Sequence, residues 1–287
     1  MATTGNAPDD RSPVSDKTVV ITGASSGIGE AAARALKGRA AHVVIVGRSP
    51  GRTEQVAREL DAPFYLADFR RLDDVRNLAA NLAADLPRID VLANNAGSIM
   101  GPQQLTVDGN EWTLQVNHLA PFLLTNLLLD VLIASRGVVI ATSSIANRRA
   151  GALDLRDLNL EGGYNPELAY SKTKLMNILF SRELHRRYHA KGISSVAFEP
   201  GIVRTRFASE FSGRWSFAYT SALRHLLRSP ARGAATLVWL ASSRPDRAWT
   251  SGEFYKGRSV SRASPKAYDG DLASGLWDLS SELTSLS

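Results

Sequence analysis

The chain has 287 residues, 44% of them hydrophobic, and its net charge at neutral pH is +6. This length and composition suit one large globular domain better than two. Cysteine is absent and the basic residues are scattered, which excludes disulfides and thiol chemistry and makes nucleic-acid binding an unexpected function.

The first residues predict no targeting or membrane segment. Residues 1–16 are polar, contain Pro8 and Pro13 and have no apolar block, so we expect a disordered N-terminal arm followed by one domain over 17–287. The richest apolar run, Leu119–Ile133, is interrupted by polar residues and is too short to span a bilayer. It therefore predicts a buried or interface helix, in a cytoplasmic protein without an integral membrane segment.

Short apolar runs alternate with helical segments along the chain. This order predicts an α/β fold, a single-domain Rossmann-type doubly wound parallel sheet with helices on both faces. The predicted strands are Thr18–Thr22, His42–Val46, Pro63–Leu66, Asp90–Ala93, Val138–Thr142 and Ser194–Phe198, with a last strand near Glu253–Tyr255.

A glycine-rich turn follows the first strand and precedes the helical stretch Glu30–Leu36. Glycines allow a sharp turn and a close approach to a diphosphate, and the N-terminus of the next helix offers N–H groups to the anion. A tight turn without a ligand is the alternative, which this position near the chain start disfavours. The predicted diphosphate-binding residues are Gly23, Ser25, Ser26, Gly27, Ile28 and Gly29.

The second predicted strand leads into Gly47 and Arg48. In NAD-selective sites an acid about twenty residues beyond the glycine turn binds the ribose hydroxyls. Here a glycine and then an arginine stand in that region, and a guanidinium can hold a 2′-phosphate with charge-assisted hydrogen bonds. The pattern predicts NADP(H), with Arg52 as a second cation. A surface arginine at a strand end is the alternative.

Tyr170 and Lys174 lie four positions apart after a helix-start signal, in which Asn165 can cap and Pro166 suits the first turn. Residues at this spacing share one helix face. A lysine cation near a tyrosine favours the phenolate and moves the phenol pKa toward the working range of an acid–base catalyst. A tyrosine and a lysine at this spacing often occur together by chance. The glycine-rich turn near the start of the chain supports a catalytic role for this pair more strongly than the spacing does by itself.

Histidines give no metal signal. His185 and His189 have helical i,i+4 spacing but lie beside Arg186 and Arg187, which is more typical of a solvated face than of a ligand pair. No metal site is predicted.

Six motifs in order make the chain resemble the short-chain dehydrogenase/reductase family over roughly residues 17–285. They are Thr22–Gly29, Asn94–Gly97, Asn117, Ser143-Ser144, Tyr170/Lys174 and Pro200–Thr205. Its retinol-dehydrogenase-like branch is the most similar, on the segments Val116–Leu119, Phe122–Thr125, Met176–Phe180, Ser251–Tyr255 and Leu276–Ser280. One departure is Ala120-Pro121, where many relatives carry Gly-His.

The resemblance implies a catalytic set of Asn117, Ser144, Tyr170 and Lys174. Tyr170 would exchange a proton with the substrate oxygen and Ser144, rather than Ser143, would hold that oxygen. Asn117 would anchor a water linked to Lys174. The 25 residues between Ser144 and Tyr170 exceed the spacing of many family members, and the resembled branch also carries an insertion there.

The same resemblance implies further contacts with the cofactor. Asp68 and Phe69 would border the adenine, with Asp68 accepting from its amine. The other implied cofactor residues, besides the glycine turn, Arg48, Tyr170 and Lys174, are Asn95, Ala96, Gly97, Thr142, Pro200, Gly201, Val203 and Thr205.

The expected activity is NADPH-dependent interconversion of a hydrophobic ketone or aldehyde and its alcohol. A lid over about 206–229, rich in aromatic residues, would roof the substrate pocket, although these aromatics could instead pack on the protein body. Retinoid-like, steroid-like or secondary-metabolism substrates all fit. A catalytically silent NADPH-binding scaffold or sensor is the alternative function. Relatives often form dimers or tetramers, so a homodimer or homotetramer is expected.

Overall fold

A computed structural model describes residues 14–39, 41–99, 101–203 and 228–286. Strands in these residues are β1 (Thr18–Thr22), β2 (His42–Gly47), β3 (Phe64–Leu66), β4 (Val91–Asn94), β5 (Val138–Thr142), β6 (Ser194–Glu199), β7 (Phe254–Lys256) and β8 (Ser259–Val260). They form one sheet in the order β3-β2-β1-β4-β5-β6-β7-β8. Neighbouring strands pair in parallel, except for the antiparallel pair β7–β8.

Helices pack on the sheet between the strands. They are α1 (Gly27–Lys37), α2 (Pro50–Leu60), α3 (Leu72–Asp85), α4 (Trp112–Leu114), α5 (Ala120–Leu127), α6 (Leu129–Ala134), α7 (Pro166–Tyr188), α8 (Pro230–Ser242) and α9 (Gly270–Leu283). A π-helical segment, Gln115–Leu119, joins α4 to α5. Short 3₁₀ turns cover Ile145–Arg149, His189–Lys191 and Pro265–Tyr268.

The central strands are apolar on both faces because helices cover both sides of the sheet. Ile21 of β1 lies in an apolar cluster with Leu36 of α1 and Leu237 of α8. Its neighbour Val20 points the other way, into a cluster that contains Leu123 of α5. The predicted fold class, a doubly wound parallel sheet in one domain, is therefore confirmed.

The strand order changes direction between β1 and β4, which are neighbours in the sheet. At such a switch point the loops leaving adjacent strands diverge and open a crevice at the carboxyl edge of the sheet. The glycine turn after β1 and the Asn95–Gly97 segment after β4 both lie at this edge.

The observed strand bounds agree with the seven predicted strands to within one residue at each end. The two-residue strand β8 was not predicted, since so short a segment shows no alternation. The predicted helix Leu119–Ile133 is interrupted at Leu128, where φ is −100° and ψ is 8°. Just before this break, the Thr125 and Asn126 side chains donate to main-chain oxygens four residues earlier, a contact that often bends helices.

Val14 is buried, whereas the sequence predicts that residues 1–16 form a disordered arm. Its side chain is only 4% exposed and belongs to the apolar cluster beside α1. The Lys17 N–H donates to the Val14 oxygen at 3.1 Å, which closes a turn before β1. The last three residues assigned to the arm are therefore part of the folded domain. Residues 1–13 lie outside the described residues.

None of the described helices has the length and apolarity needed to cross a bilayer. In the same part of the chain, no group of three or more His, Cys, Asp or Glu side chains could hold a metal ion. The rings of His185 and His189 lie 4.5 Å apart, and His185 Nδ1 is 2.9 Å from Ser251 Oγ. His185 thus packs against the chain before β7, whereas 39% of the His189 side chain is exposed.

Candidate active site

The turn between β1 and α1 is built for close backbone approach. Gly23 and Gly27 have φ angles of +67° and +62°, which glycine adopts without strain. A Cβ atom on Gly23 would lie 2.8 Å from the Ala96 Cα, and one on Gly29 would lie 2.4 Å from the Gly23 oxygen. Ser26, the N-cap of α1, makes no side-chain hydrogen bond to the helix. The first N–H groups of α1 thus remain available to an anion, and this cradle fits a diphosphate.

Thr22 ties the glycine turn to the segment after β4. Its Oγ1 accepts from the N–H groups of Asn95 and Ala96, both at 3.0 Å, and donates to the Ala93 oxygen at 3.2 Å. Asn95 Nδ2 donates to the Thr22 oxygen at 2.9 Å. These bonds hold Asn95 and Ala96, which the resemblance implies are cofactor residues, beside the segment predicted to bind the diphosphate.

Asn117 lies in the π-helical segment and is fully buried. Its Oδ1 accepts from the Ser98 N–H at 2.8 Å, while its Nδ2 donates to the Ser98 oxygen at 2.8 Å and to Thr173 Oγ1 at 3.1 Å. The side chain therefore clamps the chain that follows Gly97. A Cβ atom on Gly97 would lie 3.1 Å from Asn117 Oδ1 and 3.4 Å from Lys174 Nζ, so the glycine keeps a gap open between these two atoms.

Ala120-Pro121, where many relatives of the resembled branch carry Gly-His, directly follows the π-helical segment that contains Asn117. In α-helical register the N–H of residue 121 would bond to the main-chain oxygen of Asn117. Proline has no N–H, so this oxygen has no α-helical donor. Pro121 thus cannot continue an α-helical hydrogen-bond ladder to Asn117, and it lies just after the π-helical segment Gln115–Leu119.

Tyr170 and Lys174 lie on α7, which starts as predicted, because Asn165 Oδ1 accepts from the Leu168 N–H at 2.9 Å. The Lys174 Nζ atom is 5.3 Å from the centre of the Tyr170 ring and donates to the Thr142 oxygen at 3.1 Å. Lys174 is only 3% exposed, and burial lowers its pKa to about 7. The charge of this lysine is therefore sensitive to any anion that enters the site.

The two serines after β5 have different environments. Ser143 is buried and its Oγ donates to the Lys174 oxygen at 2.7 Å, which is a structural contact. Ser144 Oγ accepts from the Ala146 N–H at 3.2 Å and caps the following 3₁₀ turn. Because Ser144 Oγ is the acceptor in that bond, its hydroxyl hydrogen can still point into the cleft. The Ser143 hydroxyl hydrogen is therefore used within the protein, whereas that of Ser144 is available to a ligand.

Gly47 and Arg48 lie at the end of β2. A Cβ atom on Gly47 would lie 2.3 Å from Thr53 Oγ1, and Thr53 is itself held by a 2.6 Å hydrogen bond to the Ser49 oxygen. An acidic side chain therefore does not fit at position 47 unless Thr53 moves. Arg48, Arg52 and Asp68 all line the cleft beside Gly47.

Asp68 has a partner that the sequence did not reveal. Its carboxylate accepts from Arg70 Nε at 3.0 and 2.9 Å, and from the Arg70 N–H at 3.1 Å. Burial by itself raises the pKa of Asp68, but the Arg70 hydrogen bonds and the charges of Arg70 and Arg48 outweigh it and hold the pKa below its usual value. Asp68 is therefore an oriented, charged acceptor at the cleft.

A cleft of about 1130 Å³ brings these residues together. The predicted residues that line it are Gly23, Ser25, Ser26, Gly27, Ile28, Arg48, Asp68, Phe69, Asn95, Ala96, Gly97, Thr142, Ser144, Tyr170, Lys174, Pro200, Gly201 and Val203. Gly29 and Asn117 lie behind this surface and support it. Thr205 and the lid lie outside the described residues, apart from residues 228–229. Arg228 pairs with Val203, so the described residues on either side of 204–227 lie next to each other, and Val203 lines the cleft.

Some lining residues were not predicted as site residues. Ser98 and Ile99 continue the chain after Gly97, and their position next to a predicted segment was the signal that could have found them. The others are Val46, Ser49, Ala67, Val116, Ser143, Ser171 and Ile202, and Ile145, Ala146, Arg148, Arg149, Asn165, Glu167 and Leu168 of the stretch between Ser144 and Tyr170.

The fold and this cleft define a nucleotide-dependent oxidoreductase of the short-chain type, and sequence comparison agrees. Residues 17–214 match the short chain dehydrogenase family, so the chain belongs to that family. Members of the family use NAD or NADP, and the glycine cradle described above fits the diphosphate of either. The chain is accordingly an oxidoreductase that acts on alcohol or carbonyl groups.

Two curated relatives cover nearly the whole chain. The "Putative daunorubicin C-13 ketoreductase DnrU" of Streptomyces sp. (strain C5) is 43% identical over 272 residues, which are 92% of this chain and 91% of the relative. Retinol dehydrogenase 14 of Mus musculus is 37% identical over 285 residues, which are 92% and 84% of the two chains. The resemblance to the retinol-dehydrogenase-like branch is thereby confirmed.

A solved structure supports the fold over its full length. The crystal structure of an uncharacterized protein from Mycobacterium Paratuberculosis is 34% identical to this chain and superposes with a TM-score of 0.77. The match covers 98% of each chain.

Proposed function

We propose that this protein is an NADPH-dependent reductase that interconverts a hydrophobic ketone or aldehyde and its alcohol, with Tyr170 as the acid–base residue. The observation that carries the proposal is that Ser144, Tyr170 and Lys174 line one cleft together with the glycine cradle. A proton donor, an oxygen-binding hydroxyl and a buried cation thus border the same space as the dinucleotide site.

The chemistry supplied by the bound nicotinamide is transfer of a hydride to the carbonyl carbon. Ser144 Oγ donates a hydrogen bond to the substrate oxygen and shares the charge that develops there. Tyr170 Oη donates its proton to that oxygen, and takes it back in the direction of alcohol oxidation.

Lys174 stabilises the phenolate of Tyr170 when it carries a proton, and its own burial makes the proton easy to lose. A water in the gap beside Gly97 would contact both Asn117 Oδ1 and Lys174 Nζ. Such a water gives the ammonium group a route to recover a proton after each turnover.

The phosphate selectivity rests on Gly47 and Arg48. The contact between a Gly47 Cβ and Thr53 leaves no room for the acid that would bind ribose hydroxyls and repel a 2′-phosphate. Arg48 instead offers a cation at the cleft, where it can bind that phosphate through charge-assisted hydrogen bonds.

The cleft lining that flanks Ser144 and Tyr170 in sequence combines the apolar residues Ile145, Ala146 and Leu168 with the polar residues Arg148, Arg149, Asn165 and Glu167, and Ile145 is 45% exposed. Apolar walls with a few polar groups suit a bulky hydrophobic ligand. The two curated relatives are named as a putative daunorubicin C-13 ketoreductase and a retinol dehydrogenase, which agrees with a ketone or an alcohol as the substrate.

The test is a turnover assay on the purified full chain with NADPH or NADH and a panel of carbonyl compounds, followed by the absorbance of the reduced cofactor. Direct titration with each cofactor accompanies it. Turnover of apolar ketones or aldehydes with NADPH is the expected result. Tight NADPH binding without turnover across the panel would instead indicate a silent scaffold.

A further inference from the structure

Asn147 joins the turn after Ser144 to a segment near the C-terminus. It is fully buried in the 3₁₀ turn Ile145–Arg149. Its Nδ2 donates to the Ser144 main-chain oxygen at 2.6 Å, and its Oδ1 accepts from the Ser264 N–H at 2.8 Å. Asn147 and Ser264 are 117 residues apart in sequence. One side-chain amide therefore connects Ser144 to a distant part of the chain.

The main chain around Ser144 is fixed on both sides. Before it, the Ser143 N–H donates to the Phe198 oxygen of β6 at 2.8 Å. After it, the Ser144 oxygen accepts from Asn147 twice, from Nδ2 and from the main-chain N–H at 3.1 Å. A carbonyl oxygen has two acceptor positions, so Asn147 occupies both and fixes the plane of this peptide. The same turn presents the Ala146 N–H to Ser144 Oγ, which sets the direction of the hydroxyl.

The segment that Asn147 contacts is itself anchored. It follows β8, and the Ser261 N–H donates to the Phe254 oxygen of β7 at 2.7 Å. Arg148, the neighbour of Asn147, donates to the Arg262 oxygen from Nη2 at 2.7 Å and from Nε at 3.2 Å. Segment 261–264 is therefore tied both to the sheet and to the turn after the serine.

We propose that Asn147 is a positioning residue that aims the Ser144 hydroxyl at the substrate oxygen, with segment 261–264 as its anchor. Asn147 and Ser264 lie behind the cleft surface and do not line it. A hydrogen bond weakens steeply with distance and angle, so a donor to a developing oxyanion acts only from a defined position. The inference rests on the proposed function, in which Ser144 shares the charge on that oxygen.

Two variants of Ser264 test the anchor without a change in the cleft. Ser264→Pro removes the N–H that donates to Asn147, and the Ser264 φ of −53° suits proline. Ser264→Ala is the matched control, because it keeps this N–H and loses only a hydroxyl that does not cap the following turn. Turnover is measured on the full chain with NADPH and the apolar aldehyde decanal.

Removal of an oxyanion donor costs about 10²- to 10³-fold in kcat, and its displacement should cost part of that. We therefore expect Ser264→Pro to lower kcat about tenfold, and Ser264→Ala to remain within about twofold of the wild type. The dissociation constant of NADPH, measured by titration, should not change in either variant. Crystal structures of the two variants give a readout without turnover, since Ser144 Oγ should be displaced only in Ser264→Pro.

A double-mutant cycle shows whether Asn147 acts through Ser144. Asn147→Ala should lower kcat about tenfold in the wild type and have no further effect in Ser144→Ala. Asn159→Ala is the control, because its amide also clamps main-chain groups of another segment, accepting from the Glu111 N–H at 2.9 Å and donating to the Gly109 oxygen at 3.4 Å. Its effect on kcat, whatever its size, should be equal in both backgrounds.

Either of two results would overturn the inference. One is an equal loss from Asn147→Ala in both backgrounds, because Asn147 would then support the fold alone. The other is Ser264→Pro with wild-type kcat and an undisplaced Ser144 Oγ, and this variant decides the matter if Asn147→Ala does not fold. A wild type that reduces neither decanal nor any other carbonyl compound of the panel would contradict the proposed function, while the crystal structures would still test the position of Ser144.

Discussion

Lys174 and Asn177 donate to the same acceptor, since the Thr142 main-chain oxygen lies 3.1 Å from Lys174 Nζ and 3.1 Å from Asn177 Nδ2. The shared oxygen at the end of β5 positions Lys174 Nζ at the cleft, 5.3 Å from the centre of the Tyr170 ring. Burial makes protonation of a lysine amine costly when its hydrogen-bond partner is a neutral oxygen, as it is for Lys174. The protonation state of Lys174 should therefore report on what occupies the cleft.

The first prediction concerns this lysine. Burial lowers the Lys174 pKa to about 7 in the free protein, and an anionic dinucleotide favours the charged form, so the pKa should be higher in the complex. Binding then takes up a proton above about pH 7, and NADPH affinity should fall as the pH rises, by up to about tenfold per pH unit. The measurement is the dissociation constant across this range, with calorimetry in buffers of different ionisation enthalpy.

Lys174→Met is the control for this pH effect, because it removes the titrating group and should leave a flatter profile. The 2′-phosphate of NADPH titrates in both proteins, so only the difference between the two profiles is assigned to Lys174. Identical profiles for the wild type and Lys174→Met would contradict the prediction.

The second prediction concerns Tyr170. Tyr170→Phe removes one hydroxyl and keeps the ring that packs near Lys174, so the fold and NADPH affinity should be preserved. Loss of a general acid should lower kcat by about 10²- to 10⁴-fold. Turnover, thermal unfolding and NADPH titration together check this. Tyr188→Phe makes the same chemical change near the end of the same helix, outside the cleft, and should remain fully active.

The third prediction concerns cofactor choice. Arg48→Ala should weaken NADPH binding by about ten- to hundredfold, the effect of a lost charge-assisted contact, and should change NADH binding little. Arg58→Ala provides the control, since the Arg58 side chain is 74% exposed and pairs with Glu54 of the same helix. Equal use of NADH and NADPH by the wild type would show that the phosphate assignment is wrong.

Features that depend on local chemistry could be predicted from the sequence. The glycine turn needs its glycines at fixed positions after an apolar strand, and Asn165 and Pro166 are typical helix-start residues. The central strands could be predicted because buried parallel strands are continuous apolar runs, and the edge strand β3 is also apolar in sequence although Phe64 and Leu66 are exposed. The positions of Ser144, Tyr170 and Lys174 around one cleft follow from the fold and from the family's order of motifs.

Features that depend on contacts between distant segments could not be predicted. The lack of space beside Gly47 comes from Thr53 on the following helix. The clamp of Asn117 on Ser98 requires the π-helical segment to pack against the chain after β4. Arg70 and Asp68 are close in sequence, but the ring of Trp112, which also contacts Arg70, comes from a distant segment and could not be predicted.

The fourth prediction concerns the substrate. Because apolar side chains line the cleft near Ser144, large apolar ketones and aldehydes should be reduced with a higher kcat/KM than short polar keto acids or small sugars. Ile145→Ser should narrow that gap, because it removes apolar surface that only a large substrate covers. Partial burial of an isoleucine contributes about 1 kcal/mol, so kcat/KM for large substrates should fall about fivefold.

The prediction requires that a short polar substrate make little contact with the Ile145 side chain, so that Ile145→Ser leaves its kcat/KM nearly unchanged. Val107→Ser is the matched control, because Val107 is 76% exposed and lies outside the cleft lining. Kinetics of all three proteins on one large and one small carbonyl compound decide the matter. If Ile145→Ser lowers kcat/KM equally for both compounds, Ile145 supports the catalytic geometry rather than binding the substrate, and the apolar assignment loses its main support.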